Sequence, residues 1–122
     1  MTTTFPTIAI VDDDESVRCA LGHLLRAAQF DSLTFASAEE FLTSSDAEQV
    51  DWLIADVNLP GMSGVALVQE LRAAGRDLPT IFISARDDLA TLGRDGCGPF
   101  PYLRKPFSDK ALFAAISQLL KA

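Results

Sequence analysis

The sequence predicts an α/β domain in which a parallel sheet of five strands carries helices on both of its faces. Short apolar runs rich in β-branched residues recur along the chain, and stretches with a helical spacing of apolar residues separate them. Runs that are apolar throughout are typical of parallel strands, because such strands are covered on both faces. A length of 122 residues suits one domain with one core, which we expect to span residues 1–122.

Each element is predicted from its own pattern and its boundary residues. Asp14, Ser37, Ser63 and Ser108 stand where helix caps are preferred, and Ser37 is followed three residues later by Glu40, which is a capping-box pattern. The predicted order is strand Thr7–Val11, a helix capped by Asp14, strand 32–35, helix 38–44, strand Trp52–Asp56, helix 64–74, strand Thr80–Ser84, a short helix at 87–92, strand Tyr102–Arg104 and a helix after Ser108.

The composition argues against binding to nucleic acid or to a membrane. Ten basic and 17 acidic residues give a net charge of −7, and no Lys/Arg run occurs. No stretch has the length of a membrane span or the pattern of a signal peptide. Cys19, predicted on the apolar side of the first helix, and Cys97, in a glycine-rich loop, lack the spacing of a metal-binding pair. These features predict a soluble cytoplasmic protein with reduced thiols.

Polar side chains follow four of the five predicted strands. Asp12 and Asp13 come after the first strand, Asp56 ends the third, Ser84 ends the fourth and Lys105 follows the fifth. The carboxyl ends of parallel strands meet at one edge of the sheet, where ligands bind in open α/β folds. Each residue alone has a structural interpretation as a cap, a turn residue or a solvated side chain. Their joint placement at successive strand ends predicts a functional site.

The three carboxylates of this predicted site require a cation. Carboxylates at close range repel one another and do not all stay ionised without one. Mg²⁺, or Mn²⁺ in its place, suits oxygen ligands in octahedral geometry. We expect Asp13 and Asp56 to bind the ion directly, Asp12 to bind it through water, and the backbone carbonyl of Asn58 to add a ligand.

The chemistry that suits these groups is phosphoryl transfer. A carboxylate can attack phosphorus, which makes Asp56 the candidate nucleophile. The Lys105 ammonium would stabilise negative charge on the transferred group, and the Ser84 hydroxyl would donate a hydrogen bond to it afterwards. His23, which lies between helical core positions, is expected to have only a structural or surface role.

The chain resembles the receiver domain of bacterial two-component response regulators along nearly its whole length. The motifs that carry the resemblance are IVDDD at 10–14, Asp56 with LPGMSG at 59–64, PTIFISA at 79–85 and KPF at 105–107. Each motif is weak alone, but four in the order of the family are highly specific. The resemblance implies a flavodoxin-like (βα)5 fold with strand order 2-1-3-4-5.

The resemblance also implies how such a domain works. Asp56 would accept a phosphoryl group from a sensor histidine kinase or a phosphotransfer protein, with Mg²⁺ held by Asp12, Asp13 and Asp56. Ser84 and Tyr102 would form a switch pair that changes the surface of the domain. That change would signal to an output domain or a partner protein, and the sequence is similar to receivers attached to helix-turn-helix transcription factors.

Three further expectations come from the resemblance. Lys105 would contact the phosphoryl group, and the Lys105–Pro106 bond would be cis. Asn58 and Arg86, each two positions after a site residue, would tune dephosphorylation.

One region departs from the family pattern. Ser84 and Lys105 are 21 positions apart, about one fewer than the family spacing, and the sequence GRDGCGP at 93–99 replaces the usual end of a helix. Glycine and proline both discourage helix extension. We therefore expect the fourth of five helices to be short, displaced or partly disordered.

Three alternatives to a phosphoacceptor remain open at this stage. An aspartyl-phosphate phosphatase would use Asp12 and Asp14, whose spacing fits, but the chain lacks a substrate-selecting cap domain. A flavin-binding flavodoxin would need a Ser/Thr-rich phosphate loop where this chain has four acidic residues, 12–15. A receiver-like interaction domain that works without phosphorylation would suit the unusual fourth helix.

Overall fold

The computed structural model describes residues 6–84, 102–105 and 107–121. The strands are β1 (Thr7–Val11), β2 (Asp31–Phe35), β3 (Trp52–Asp56), β4 (Thr80–Ser84) and β5 (Tyr102–Arg104). The helices are α1 (Glu15–Ala27), α2 (Ala38–Thr43), α3 (Gly64–Ala73) and a C-terminal helix (Asp109–Lys121), with a 3-10 helix at Ser45–Gln49.

The five strands form one sheet in the order β2-β1-β3-β4-β5, and every neighbouring pair is parallel. This confirms the predicted strand order and fold class. Among the described strands, β5 pairs with β4 alone and is an edge strand of three residues. Because all strands run the same way, the residues that follow them lie along one edge of the sheet.

Two hydrophobic cores cover the two faces of the sheet, as a doubly wound fold requires. Alternate strand residues point to opposite faces, so neighbours such as Leu53 and Ile54 belong to different cores. One core joins the sheet to α2 and α3 and includes Phe41, Leu67 and Phe82. The other joins it to α1 and the C-terminal helix, and includes Leu21, Leu25, Ile81, Ile83, Leu112 and Ile116.

The four predicted helix caps are confirmed. In each, the side-chain oxygen of the cap residue accepts a hydrogen bond from a backbone N–H in the first turn, which satisfies a donor that lacks an intrahelical partner. The pairs are Asp14 with Ser16 (2.8 Å), Ser37 with Glu40 (3.0 Å), Ser63 with Ala66 (3.1 Å) and Ser108 with Ala111 (3.1 Å).

Some boundaries and one side-chain orientation were predicted wrongly. β2 begins at Asp31 rather than at residue 32, and α2 ends at Thr43, after which Ser44 caps the 3-10 helix. α3 ends at Ala73 rather than at residue 74. Cys19 is exposed, because about 100° of rotation per residue puts it on the opposite side of α1 from the buried Leu21.

Several predictions lie outside the described residues. These are the fourth helix, Arg86, Cys97 and the cis bond to Pro106, together with the side chain of Tyr102. Among the helices that are described, none combines the length and the apolar character needed to cross a membrane.

Candidate functional site

Three carboxylates from neighbouring strands meet at the carboxyl edge of the sheet. β1 pairs with β3 so that Val11 lies beside Ala55, which brings the residues that follow, Asp12 and Asp56, side by side. One carboxylate oxygen from each of Asp12, Asp13 and Asp56 lies within 4.8 Å of the other two. Asp12 and Asp56 are buried, whereas Asp13 is exposed and opens the cluster to solvent.

Lys105 is placed between the two buried carboxylates. Its Nζ lies 2.8 Å from Asp56 Oδ2 and 2.9 Å from Asp12 Oδ2. The residue directly follows the edge strand β5, and its backbone N–H donates to the carbonyl of Ser84 at 2.8 Å. The β4–β5 pairing therefore carries the ammonium group to acids that are far away in sequence.

Burial and charge shift two pKa values in this pocket. Burial raises the pKa of Asp12 above its usual value, although hydrogen bonds from the Asp14 backbone and Lys105 partly oppose the shift. Burial alone would lower the pKa of Lys105. The hydrogen bonds and charges of Asp56 and Asp12 outweigh that effect and raise it. The ammonium group is therefore held firmly in its charged form.

The donor set fits a hard divalent cation. Asp12 Oδ2 is buried, and its close polar contact among the described residues is the Lys105 ammonium group at 2.9 Å. Among the described residues, Lys105 is the cation in ion-pair contact with this cluster of three carboxylates, so these groups together carry excess negative charge and oxygen lone pairs for a metal. An ion such as Mg²⁺ needs oxygen ligands of this kind and an opening for water, which the exposed Asp13 leaves.

Asp56 is fixed through both its side chain and its backbone. The backbone N–H of Asn58 donates to Asp56 Oδ1 at 2.9 Å, while Lys105 holds Oδ2. Gly64, the first residue of α3, lies against the backbone of Asp56, and a Cβ at this glycine would overlap the Asp56 carbonyl oxygen. A residue with no side chain is therefore required where α3 meets the candidate nucleophile.

Ser84 lies at the same edge and is fully buried. Its hydroxyl accepts a hydrogen bond from the side-chain amide of Asn58 at 3.2 Å. The structure thus brings Asp12, Asp13, Asp56, Ser84 and Lys105 to one edge of the sheet, as their positions at strand ends predicted, and Asn58 joins them from the loop after β3.

Two contacts near the site carry no signal in the sequence pattern. Arg18 Nη1 donates to the backbone carbonyl of Asp12 at 2.7 Å, and Glu39 Oε2 accepts from the backbone N–H of Met62 at 3.1 Å. Both are charged residues on helices, where the usual interpretation is a solvated face. Only the three-dimensional path of the loops reveals their partners.

Comparison with known families identifies the family to which this fold belongs. Residues 8–117 match the family model of the response regulator receiver domain. The chain belongs to this family. It is a receiver domain of the two-component response regulator type, and the resemblance drawn from the four motifs is confirmed. Neither the phosphatase nor the flavodoxin alternative is supported by this membership.

Individual relatives of this receiver domain are longer regulators. It is 36% identical over 116 residues to the transcriptional regulatory protein TdiR of Thauera aromatica. The aligned residues cover 93% of this chain and 51% of TdiR. The same chain is 35% identical over 112 residues to the DNA-binding transcriptional regulator NtrC of Klebsiella pneumoniae, covering 91% of this chain and 24% of that one. The receiver chain thus spans a quarter to a half of these relatives.

A solved receiver structure has the same fold over almost its whole length. The chemotaxis protein CheY4 of Vibrio cholerae superposes with a TM-score of 0.83 at 25% sequence identity, covering 94% of this receiver chain and 98% of that one.

Proposed function

We propose that this receiver domain accepts a phosphoryl group on Asp56 in a Mg²⁺-dependent reaction. The observation that carries the proposal is the position of Asp56. Its carboxylate lies at the carboxyl edge of the sheet, within 4.8 Å of Asp12 and Asp13 and 2.8 Å from the Lys105 ammonium. A nucleophilic carboxylate, a charge-neutralising lysine and spare oxygen ligands are the parts that phosphoryl transfer needs.

The donor would be a phosphohistidine of a sensor kinase or a phosphotransfer protein. An oxygen of Asp56 attacks the phosphorus atom, and the new O–P bond forms as the P–N bond of the donor breaks. The electron pair of that bond returns to the imidazole nitrogen, which leaves free histidine and an aspartyl phosphate. The hydrogen bond from Asn58 holds Asp56 Oδ1 and fixes the direction of the carboxylate during attack.

The chain supplies the ligands for the metal and the positive charge. Asp12, Asp13, Asp56 and the carbonyl of Asn58 would hold Mg²⁺, which when bound neutralises charge on the phosphoryl oxygens. Lys105 would transfer its hydrogen bond from Asp56 to a phosphoryl oxygen, where its raised pKa keeps it charged.

The switch would follow from loss of the resting contact at Ser84. The Ser84 hydroxyl would leave the Asn58 amide and donate to the phosphoryl group, and Tyr102 would respond as its switch partner. Arg86 and the Asn58 side chain would set the rate of dephosphorylation. The catalysis involved would be limited to the phosphorylation and dephosphorylation of the domain itself.

The partners and setting are proposed on the same basis. Receiver domains of response regulators pair with histidine kinases and with output domains, and TdiR and NtrC are named as transcriptional regulators. We propose a histidine kinase as donor and an output domain or protein partner as target, with no direct nucleic-acid binding by this acidic domain. One receiver domain over residues 1–122 and a cytoplasmic location complete the proposal.

The test uses a small phosphodonor so that no kinase need be known. Wild type and Asp56→Asn are incubated with acetyl phosphate and Mg²⁺, and the intact mass is followed. We expect one phosphoryl adduct on the wild type and none on Asp56→Asn. No adduct should form on the wild type when a chelator is present from the start. Measurable Mg²⁺ binding without any adduct would instead favour the interaction domain that works without phosphorylation.

A further inference from the structure

The loop between β3 and α3, residues 57–63, carries Asn58 and is fixed at both ends. At its start, the Asn58 N–H is bonded to Asp56 Oδ1. At its end, the N–H of Gly64 donates to the Val57 carbonyl at 3.3 Å, and Gly64 itself packs on Asp56. Residues 60–62, here called the apex of the loop, lie between these two anchors and have a separate contact.

That contact comes from α2. Glu39 Oε2 accepts a hydrogen bond from the backbone N–H of Met62 at 3.1 Å, across 23 positions of sequence. Gly61, beside it, has a φ of +74° and leaves room for the carboxylate, since a Cβ there would lie 2.6 Å from Glu39 Oε2. Glycine at this position thus serves both the turn and the approach of Glu39.

We propose that Glu39 is a positioning residue for the cation site. By holding the apex of the 57–63 loop, it keeps the loop that bears Asn58 in the conformation that binds Mg²⁺. The inference rests on the proposed function, since it assigns the loop to that metal. It adds a residue from α2, an element that contributes nothing else to the pocket among the contacts described.

The neighbouring Glu40 provides a matched control. It stands on the same helix with the same charge and is also exposed, but its Oε2 accepts a hydrogen bond from the Ala36 N–H at 3.4 Å, just before α2. Removing either carboxylate changes the net charge equally. Only removal of Glu39 releases the loop, so charge and position can be separated.

The first readout needs neither metal nor phosphate. Hydrogen exchange of the Met62 amide, measured on the full chain by NMR, should be faster in Glu39→Ala than in wild type and unchanged in Glu40→Ala. Glu39→Gln keeps an acceptor oxygen and should retain part of the protection. If Glu39 only stabilised α2, Glu39→Ala would raise the exchange rates of amides along that helix. The Met62 amide would then change no more than the amides beside it.

The second readout is Mg²⁺ affinity by calorimetry. We expect Glu39→Ala to raise the Kd about 10-fold, the lower end of the range for residues that support metal ligands, because the contact is exposed. Glu40→Ala should stay within about 2-fold of wild type, as expected for a screened surface charge. At saturating Mg²⁺, Glu39→Ala should accept phosphate from acetyl phosphate at close to the wild-type rate.

A double-mutant cycle tests whether Glu39 and Gly61 act through one contact. Gly61→Ala displaces the carboxylate and should also weaken Mg²⁺ binding, and the double variant should be weaker by less than the product of the two single effects. Equal Mg²⁺ affinity in Glu39→Ala and Glu40→Ala, or an unchanged Met62 exchange rate, would overturn the inference. A wild type that binds no Mg²⁺ would overturn the proposed function instead.

Discussion

At the scale of single residues, the charge balance of the pocket rests on Lys105. Within the part of the chain that the structure describes, this ammonium group is the cation in ion-pair contact with Asp12 and Asp56. Because its pKa is raised in the folded chain, its stabilising contribution is complete below its ordinary value of 10.5. That contribution is lost as the pH rises through the raised folded value. The metal-free protein therefore depends on Lys105 at neutral pH.

Lys105→Met should lower the free energy of unfolding of the metal-free protein by about 3 kcal/mol, because it leaves two buried carboxylates without their counter-ion. Saturating Mg²⁺ should recover most of the loss, since the cation replaces the missing charge. Urea unfolding with and without Mg²⁺ measures both effects. Lys110→Met, on an exposed position of the C-terminal helix, is the control and should change stability by less than about 0.5 kcal/mol. Equal losses in the two variants would contradict the role given to Lys105.

At the scale of elements, the approach of α3 to β3 decides how the site is built. Alanine is normally preferred over glycine in a helix by roughly 1 kcal/mol. Gly64 reverses that preference because the space for its Cβ is taken by the Asp56 carbonyl oxygen. Gly22, inside α1, has no such constraint, since the nearest atom to its Cβ position is Ser32 Oγ at 3.6 Å. The two glycines thus form a natural comparison.

Gly64→Ala should therefore lower the free energy of unfolding by about 1–3 kcal/mol and weaken Mg²⁺ binding, because α3 must shift away from Asp56. Gly22→Ala should raise the free energy of unfolding by about 0.5–1 kcal/mol and leave Mg²⁺ binding unchanged. Denaturant unfolding and calorimetry on both variants measure the four quantities. A stabilised Gly64→Ala would mean that the close contact between α3 and Asp56 does not limit the packing.

At the scale of the whole molecule, the ionised Asp12 carboxylate lowers the stability of the metal-free fold. Asp12 has a raised pKa in the folded state, so the folded chain holds this proton more tightly than the unfolded chain does. Its contribution to stability therefore falls as the pH rises from 3.8 through the folded value, and the ionised group weakens the metal-free fold. Cation binding would relieve this cost, which links stability to Mg²⁺.

Asp12→Asn should accordingly be more stable than wild type at pH 7 without metal. The difference should shrink as the pH falls and Asp12 becomes protonated in the wild type. With saturating Mg²⁺ the wild type should gain more stability than the variant, because the variant lacks one of the three carboxylates. Urea unfolding at several pH values, with and without Mg²⁺, gives the comparison. A metal-free wild type that is more stable than Asp12→Asn at pH 7 would show that burying the ionised Asp12 carboxylate does not destabilise the fold.

The sequence was sufficient to predict the fold and which side chains lie together at the carboxyl edge of the sheet. Asp12, Asp56 and Lys105 follow parallel strands, and parallel strands alone bring their carboxyl ends together, so no side-chain detail was needed. The contacts of Arg18 and Glu39 could not be predicted, because they depend on the path of a loop and on the rotamer of a long side chain. The exposed Cys19 was missed because its neighbours in α1 are mostly apolar, although the rotation per residue decides its direction.

β5 has a consequence for the synthesis of the chain. Within the described part of the chain its three residues pair with β4 alone, yet they place Lys105 beside acids that were translated 49 and 93 residues earlier. During translation Asp12 and Asp56 emerge long before their counter-ion, and domains fold largely as units. A nascent chain would therefore lack a working acceptor until almost the entire domain had left the ribosome.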